Sequence, residues 1–375
     1  MNEELFIITA SRLSLSESDI SLLTLLSTKI SDWGFFLQTA VKHGVASIIY
    51  HTLKRYSLTD LIPLDVRDQL KKFFYGVASH NLNLLQMVEK AAGLTDEKIV
   101  LLKGIDLVES LYPNIGIRAM QDIDILVRPE SVNIIMDELS AECCKATEKK
   151  PLWKSAVHEK LSLQHIKHIP PLFFKHGLVE IHWNLFHGNE HSEITKKIWE
   201  SVVPYKKYVH VYRLSNEYML LHLCVNFYGD LYGGVVLRML CDIHELISKY
   251  SETLNWDTIR ILCKNPELRD QINIALTYTS IYYNTPVPQD FIRGDIARNT
   301  RRSLEALLSG INSFQRSSLK DFFSNLDKLD RPADKITFLY RTFFPEKAWL
   351  LENFRASNSG NVILAYFRYW NHHFF

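Results

Sequence analysis

The stretch Asp122-Ile-Asp-Ile-Leu-Val127 decides how this chain is read. Acidic and apolar residues alternate and then give way to a wholly apolar end, which predicts a strand entering a core. Residues i and i+2 of a strand point to one face, so the Asp122 and Asp124 carboxylates stand side by side, roughly 7 Å apart at their α carbons. Two like charges so placed repel each other unless a cation lies between them. Oxygen-only ligands of this sort suit Mg²⁺ or Mn²⁺, which take the rest of their shell from water and substrate phosphates. The plain alternative is a pair of exposed acids at a strand end, since D-x-D alone is common.

Upstream, Lys98-Ile-Val-Leu-Leu102 is a short β-branched apolar run and predicts a buried strand. Lys103-Gly104 closes it, and Ile105 to Leu111 takes up helical spacing until Tyr112-Pro113 stops it. A glycine at such a junction lets backbone approach a ligand closely, and the first N–H groups of the following helix are free to bind phosphate. Lys103 adds a point charge, and Arg118 stands shortly before Asp122. Downstream, Pro129-Glu-Ser131 starts a helix to about Ala141, and Leu161 to Ile166 and Leu178 to Trp183 are further strand candidates. The second of these carries Glu180 between apolar neighbours. Burying an unpaired carboxylate is expensive, so Glu180 calls for a metal or for a Lys or Arg partner. His182 follows on the same face and can line the same site.

These segments together resemble the bacterial uncharacterised nucleotidyltransferase family, within the nucleotidyltransferase fold superfamily that is DNA polymerase beta-like. The family pattern is L-K-G, then Y-P, then R-x-M-x-D-I-D-L-L-V, then V-E-x-H-W. Here it reads Leu102-Lys103-Gly104, Tyr112-Pro113, Arg118-Ala-Met-Gln-Asp-Ile-Asp-Ile-Leu-Val127 and Val179-Glu-Ile-His-Trp183. The likeness runs on through Leu237 to Ile247 and Asn255-Trp256-Asp257, and weakens after about residue 290.

The resemblance implies metal-dependent transfer of a nucleoside monophosphate from an NTP to an acceptor. Asp122, Asp124 and Glu180 would be the catalytic acids and metal ligands, with Mg²⁺ or Mn²⁺ as cofactor. Lys103, Gly104 and Arg118 would bind the triphosphate, and His182 would contribute to substrate binding. Where the broad superfamily has Gly-Ser at the phosphate turn, this chain has Lys103-Gly104 followed by Ile105 and Asp106, as in the closer family and in abortive-infection toxin relatives. A small molecule, sugar or peptide is the preferred acceptor by resemblance. The alternatives are a toxin-like enzyme modifying tRNA ends and a non-catalytic nucleotide-binding module, which a Lys103–Asp122 pair filling the metal position would favour.

The expected fold class is α+β, a small mixed sheet flanked by helical regions. The expected organisation is an N-terminal helical region at 1–95, the nucleotidyltransferase core at 96–190, a helical domain at 191–290 and a C-terminal helical extension at 291–375. In the first region, Asp32 to His43 puts Trp33, Phe36, Leu37, Ala40 and Val41 on one helical face, with Gly44 as its stop. Further helices are expected over Val45 to Tyr56, from Leu64 to about Ala92, from Ser215 through Tyr228 and over Val235 to Tyr250. The last carries Leu237, Leu240, Ile243, Leu246 and Ile247 on its apolar face. Arg238 and Asp242 on that helix read as an i, i+4 ion pair on a solvated face.

Composition narrows the classes. The 375 residues are 47% hydrophobic and 23% charged, as a folded globular chain requires. Forty-three Lys and Arg against 42 Asp and Glu leave a net charge of +1, which disfavours a general duplex nucleic-acid binder. Five cysteines without a C-x-x-C pair read as reduced thiols of a cytoplasmic protein. The N-terminus lacks the pattern of a signal peptide, and no run reaches the ~18 apolar residues of a spanning helix. Seven histidines between His158 and His191 lack the spacing of a helical zinc motif. The aromatic and basic tail from Ile336 to Phe375 reads as an amphipathic helix packed on its own domain, with base stacking or membrane contact as the rival use.

Overall fold

The computed structural model describes residues 2–140, 155, 157, 171–175, 177–186, 192–230, 236–297, 331–354 and 362–373. The chain opens with five helices: α1 (Asn2–Ala10), α2 (Glu17–Ser27), α3 (Trp33–Lys42), α4 (Ala46–Arg55) and α5 (Leu64–Leu94). Then come β1 (Ile99–Leu101), α6 (Lys103–Ser110), β2 (Asp122–Leu126), α7 (Val132–Ser140), β3 (Leu172–Phe174) and β4 (Gly177–His182). After α8 (Ser192–Ser201) follow β5 (Val203–Pro204), β6 (Val211–Arg213), α9 (Asn216–Asp230), α10 (Val236–Lys249), α11 (Trp256–Leu262) and α12 (Pro266–Tyr283). A single turn, α13 (Gly294–Ala297), precedes α14 (Pro332–Phe343), α15 (Lys347–Phe354) and α16 (Val362–His373). The fold is thus α+β, with helices on either side of a mixed sheet along the chain.

The six strands lie in the order β3-β4-β2-β1-β6-β5. β1 pairs parallel with β6, Ile99 opposite Val211 and Leu101 opposite Arg213, and β5 pairs antiparallel with β6. These last two strands come from the stretch beyond residue 190 that the sequence pattern gave to helices. Both are very short, and Pro204 can stand there because β5 is the edge. The strand candidate Leu161 to Ile166 lies outside the described residues.

The described residues form two compact units, the first drawn from 1–125, 176–179 and 197–314, the second from 126–175, 180–196 and 315–375. In the first unit, local chemistry sets the helix ends. The Asp32 side chain caps α3 by accepting from the Phe35 N–H at 2.7 Å, and Gly44 takes φ 68° just past its end. Phe36 and Ala40 are buried there, with Phe6, Trp33 and Phe36 meeting edge to face. Asn265 caps α12 ahead of Pro266, and Asn284 ends it in the left-handed conformation. The face expected of α10 is the buried one: Leu237, Leu240, Ile243, Leu246 and Ile247 are all sealed from solvent. Cys224 and Cys241 are buried free thiols whose pKa burial pushes up, so both stay protonated near neutrality.

In the second unit, Leu350, Ala365 and Tyr369 form a small core with Trp349, Tyr366 and Trp370 packed on it. Tyr366 donates to the Pro345 carbonyl at 2.8 Å, Trp370 donates to that of Phe343 at 2.7 Å, and Tyr369 donates to that of Thr342. Tyr366, Tyr369 and Trp370 thus hold α14, α15 and α16 together, while Tyr340 and Phe367 remain exposed.

Candidate functional site

One cavity, about 290 Å³, is built entirely within the first unit. Its lining takes Lys103 and Gly104 from the start of α6, Arg118 to Gln121 from the loop beyond it, Asp122 and Asp124 from β2, and Asn226, Asp230, Arg238 and Asp242 from α9 and α10. Five of the residues singled out from sequence, Lys103, Gly104, Arg118, Asp122 and Asp124, thus share one concave space.

The junction of β1 and α6 is taut. The Leu102 N–H donates to the Asp124 carbonyl at 3.0 Å, which ties the strand end to β2. Lys103 then adopts φ 42°, left-handed and unusual for a residue with a side chain, at a cost of roughly 1–3 kcal/mol. No side chain caps α6, so its first amides are left for another acceptor. Asp124 is buried, Asp122 half-buried, and Lys103 Nζ lies 3.3 Å from Asp124 Oδ1. The lysine faces Asp124 rather than Asp122.

Gly104 also makes room for neighbouring side chains. A Cβ there would meet Arg118 Nη1 at 2.5 Å and Met120 Cγ at 3.2 Å. The glycine makes room for the arginine, and the space above it is already filled by protein.

Arg118 is itself anchored. Its Nε donates to both oxygens of Asp242 at 2.9 and 3.0 Å, and Nη2 donates to Oδ2 at 2.8 Å. The Tyr112 hydroxyl donates to Asp242 Oδ1 at 2.7 Å. All three side chains are buried, and the Asp242 carboxylate holds the guanidinium pKa above its usual value against the pull of desolvation. The expected Arg238–Asp242 pair on a solvated face is replaced by this arrangement, because α10 turns Asp242 inward to meet Arg118. From sequence, Tyr112 reads only as part of a helix stop and Asp242 only as a surface ion-pair partner. The signal was there: a tyrosine, an arginine and an aspartate each embedded in apolar surroundings.

In the second unit, β4 carries the other two residues singled out from sequence, Glu180 and His182. His182 is fully buried, with Nε2 3.5 Å from Glu180 Oε2. Of the three acids expected as metal ligands, Asp122 and Asp124 line the cavity of the first unit, and Glu180 belongs to the second. Two carboxylates on one strand fit a divalent cation such as Mg²⁺ or Mn²⁺. Of the remaining histidines in the 158–191 cluster, His158, His165, His168, His176, His187 and His191 lie outside the described residues.

A mixed sheet that turns a strand end and an uncapped helix start toward a cavity of mixed charge belongs to the class of phosphate-handling α+β proteins. The particular family follows from comparison: the family described as uncharacterised nucleotidyltransferase matches residues 30–284, and the chain belongs to it. Nucleotidyl transfer is accordingly its general activity. No curated protein and no solved structure matches the chain. Among the described residues no helix is long and apolar enough to cross a membrane.

Proposed function

We propose that the chain moves a nucleoside monophosphate from an NTP to an acceptor hydroxyl or a similar nucleophile, with Mg²⁺ or Mn²⁺ as cofactor. The observation that carries this reading is Asp124, a buried acid lining the cavity together with Asp122 and facing Lys103. When bound there, a divalent cation supplies charge stabilisation to the attacking and leaving oxygens. Asp122 and Asp124 would hold it, with Glu180 as the third acid on the ground of resemblance. Lys103 and the first amides of α6 bind phosphate oxygens. Glu180 is also the base candidate for the acceptor proton, with His182 orienting it from 3.5 Å. The preferred acceptor is a small molecule, sugar or peptide, on the ground of resemblance.

The test is direct. Purified protein is screened with the four NTPs and Mg²⁺ or Mn²⁺ by thermal shift, since a ligand bound to the native state raises its stability. Pyrophosphate release with candidate acceptors follows, for wild type and Asp124→Asn. Absence of binding to every NTP with either ion sinks the proposal.

One observation favours a second reading, a nucleotide-binding module without catalysis. Lys103 Nζ sits 3.3 Å from Asp124, which is where a lysine replacing a cation would be found. Nucleotide binding that is indifferent to divalent ions, with no pyrophosphate released, would select this reading over the first.

A further inference from the structure

The cavity holds three cationic side chains, Lys103, Arg118 and Arg238, and they differ in what satisfies them. Lys103 faces Asp124, and Arg118 makes three hydrogen bonds to Asp242 through Nε and Nη2. Arg238 has no carboxylate within ion-pair distance among the described residues. Its one side-chain hydrogen bond runs from Nη1 to the Ala119 carbonyl at 3.1 Å, and its Nε is buried without a partner.

This cation is also held in place. The Arg238 N–H donates to the His43 carbonyl at 3.2 Å, so the turn between α3 and α4 grips the first residues of α10. Gly44, at φ 68°, forms the notch in which the stem lies. A Cβ there would stand 3.3 Å from Arg238 Cδ and 3.6 Å from Nη1. Clamped at its stem and tied at one tip, the guanidinium loses little freedom when an anion arrives.

We infer that Arg238, and not Arg118, is the arginine that receives the polyphosphate chain of the nucleotide, and that Arg118 is a strut holding the loop before β2 against α10. This rests on the nucleotidyltransferase reading above and deepens it. A charge taken out of water without a partner is costly, and phosphate oxygens supply the acceptors that Arg238 lacks. Its forked donors match a phosphate in geometry as well as sign. Burial and the neighbouring Arg118 charge depress the Arg238 pKa, and the nearby Asp242 and Asp122 carboxylates only partly offset them. Asp122, Asp124 and Asp230 line the same cavity, and their charge repels a bare polyphosphate. Such a mixed lining selects a polyphosphate whose charge is partly neutralised by a divalent ion.

The experiment titrates inorganic tripolyphosphate, and separately each of the four NTPs, in the presence of Mn²⁺, into wild type, Arg238→Gln, Arg238→Lys and Arg118→Lys, by calorimetry. Loss of charge-assisted hydrogen bonds to the anion lowers tripolyphosphate affinity of Arg238→Gln about 10- to 100-fold. Arg238→Lys keeps the charge and a donor for Ala119 but not the fork, and loses at least about fivefold. Arg118→Lys lowers the melting temperature while the folded protein keeps wild-type affinity. Should Arg238→Gln fail to fold, Arg238→Lys decides: affinity within about twofold of wild type overturns the assignment. Wild type that binds NTPs while both Arg238 variants bind equally well overturns the assignment and leaves the proposed function standing. Wild type that binds neither tripolyphosphate nor any NTP brings down both.

Discussion

Two corners of the same cavity treat charge in opposite ways. At one, Tyr112, Arg118 and Asp242 close on each other through four hydrogen bonds between 2.7 and 3.0 Å, and all are buried. At the other, Lys103 reaches Asp124 at a looser 3.3 Å, and Arg238 holds only a backbone carbonyl. A network complete within the protein fixes geometry. One left incomplete stores a capacity to bind, because every unmade hydrogen bond in a buried place is a cost that a ligand removes. Proximity to the cavity alone does not separate the two. Counting donors against acceptors does.

The sharpest way to break the comparison is Asp242→Ala. It strips Arg118 of its counter-charge and Tyr112 of its acceptor, and breaking such a buried pair costs about 3–5 kcal/mol. Urea unfolding will report it as a fall in midpoint with little change in slope. Asp124→Asn acts on the incomplete corner and gives the reverse pattern. NTP turnover falls about 10²- to 10³-fold, about 2.7–4 kcal/mol in the barrier, while the unfolding midpoint stays near wild type. If the two variants exchange these phenotypes, the division into strut and binding corner is wrong.

A third buried pair lies between the extremes. Asp106 on α6 is fully buried, with Arg213 Nε 3.3 Å away but no hydrogen bond to either carboxylate oxygen. Burial outweighs the guanidinium and pushes the Asp106 carboxyl up to about 6. Its native pKa is raised above the unfolded one, so the native state binds the extra proton between about pH 4 and 6. The stability this confers is full at the acid end of that window and is lost as pH rises through it. Asp106→Asn removes the effect, and its stability relative to wild type should climb by about 3 kcal/mol between pH 4 and 7. A pH-independent difference would show that Arg213 compensates the charge completely.

The smallest effect is expected from Gly44→Ala. A side chain at positive φ costs about 1–2 kcal/mol, and the new methyl presses on the Arg238 stem. Thermal melts measure the first consequence. A weaker response to tripolyphosphate with Mn²⁺, beyond what the stability loss explains, measures the second.

The legible part of this protein was the part governed by short-range pattern. Asp122 and Asp124 declare their strand by alternation, Asp32 and Gly44 mark both ends of a helix, and the α10 face follows from its spacing. β5 and β6 did not show, since two and three residues carry no period, and β6 exists only because β1 offers it a neighbour, as β6 does for β5. The fates of Arg118 and Asp242 were hidden for a related reason. They are more than a hundred positions apart, and which one faces which is decided by helix packing rather than by local sequence. Gly104 was recognised as special, but the side chain that needs its space could not be named without coordinates.

The glycine notch and the His43 carbonyl have a practical corollary for anyone wishing to cut this protein down. The opening helices look dispensable, yet the turn between α3 and α4 grips Arg238, and the Leu13 N–H donates to buried Glu245 at 2.7 Å about two turns further along α10. A fragment trimmed to residues 96–190 would keep the acids and shed Arg238 itself together with the turn that aims it. An excised catalytic core of this kind should be inert even if it remains folded.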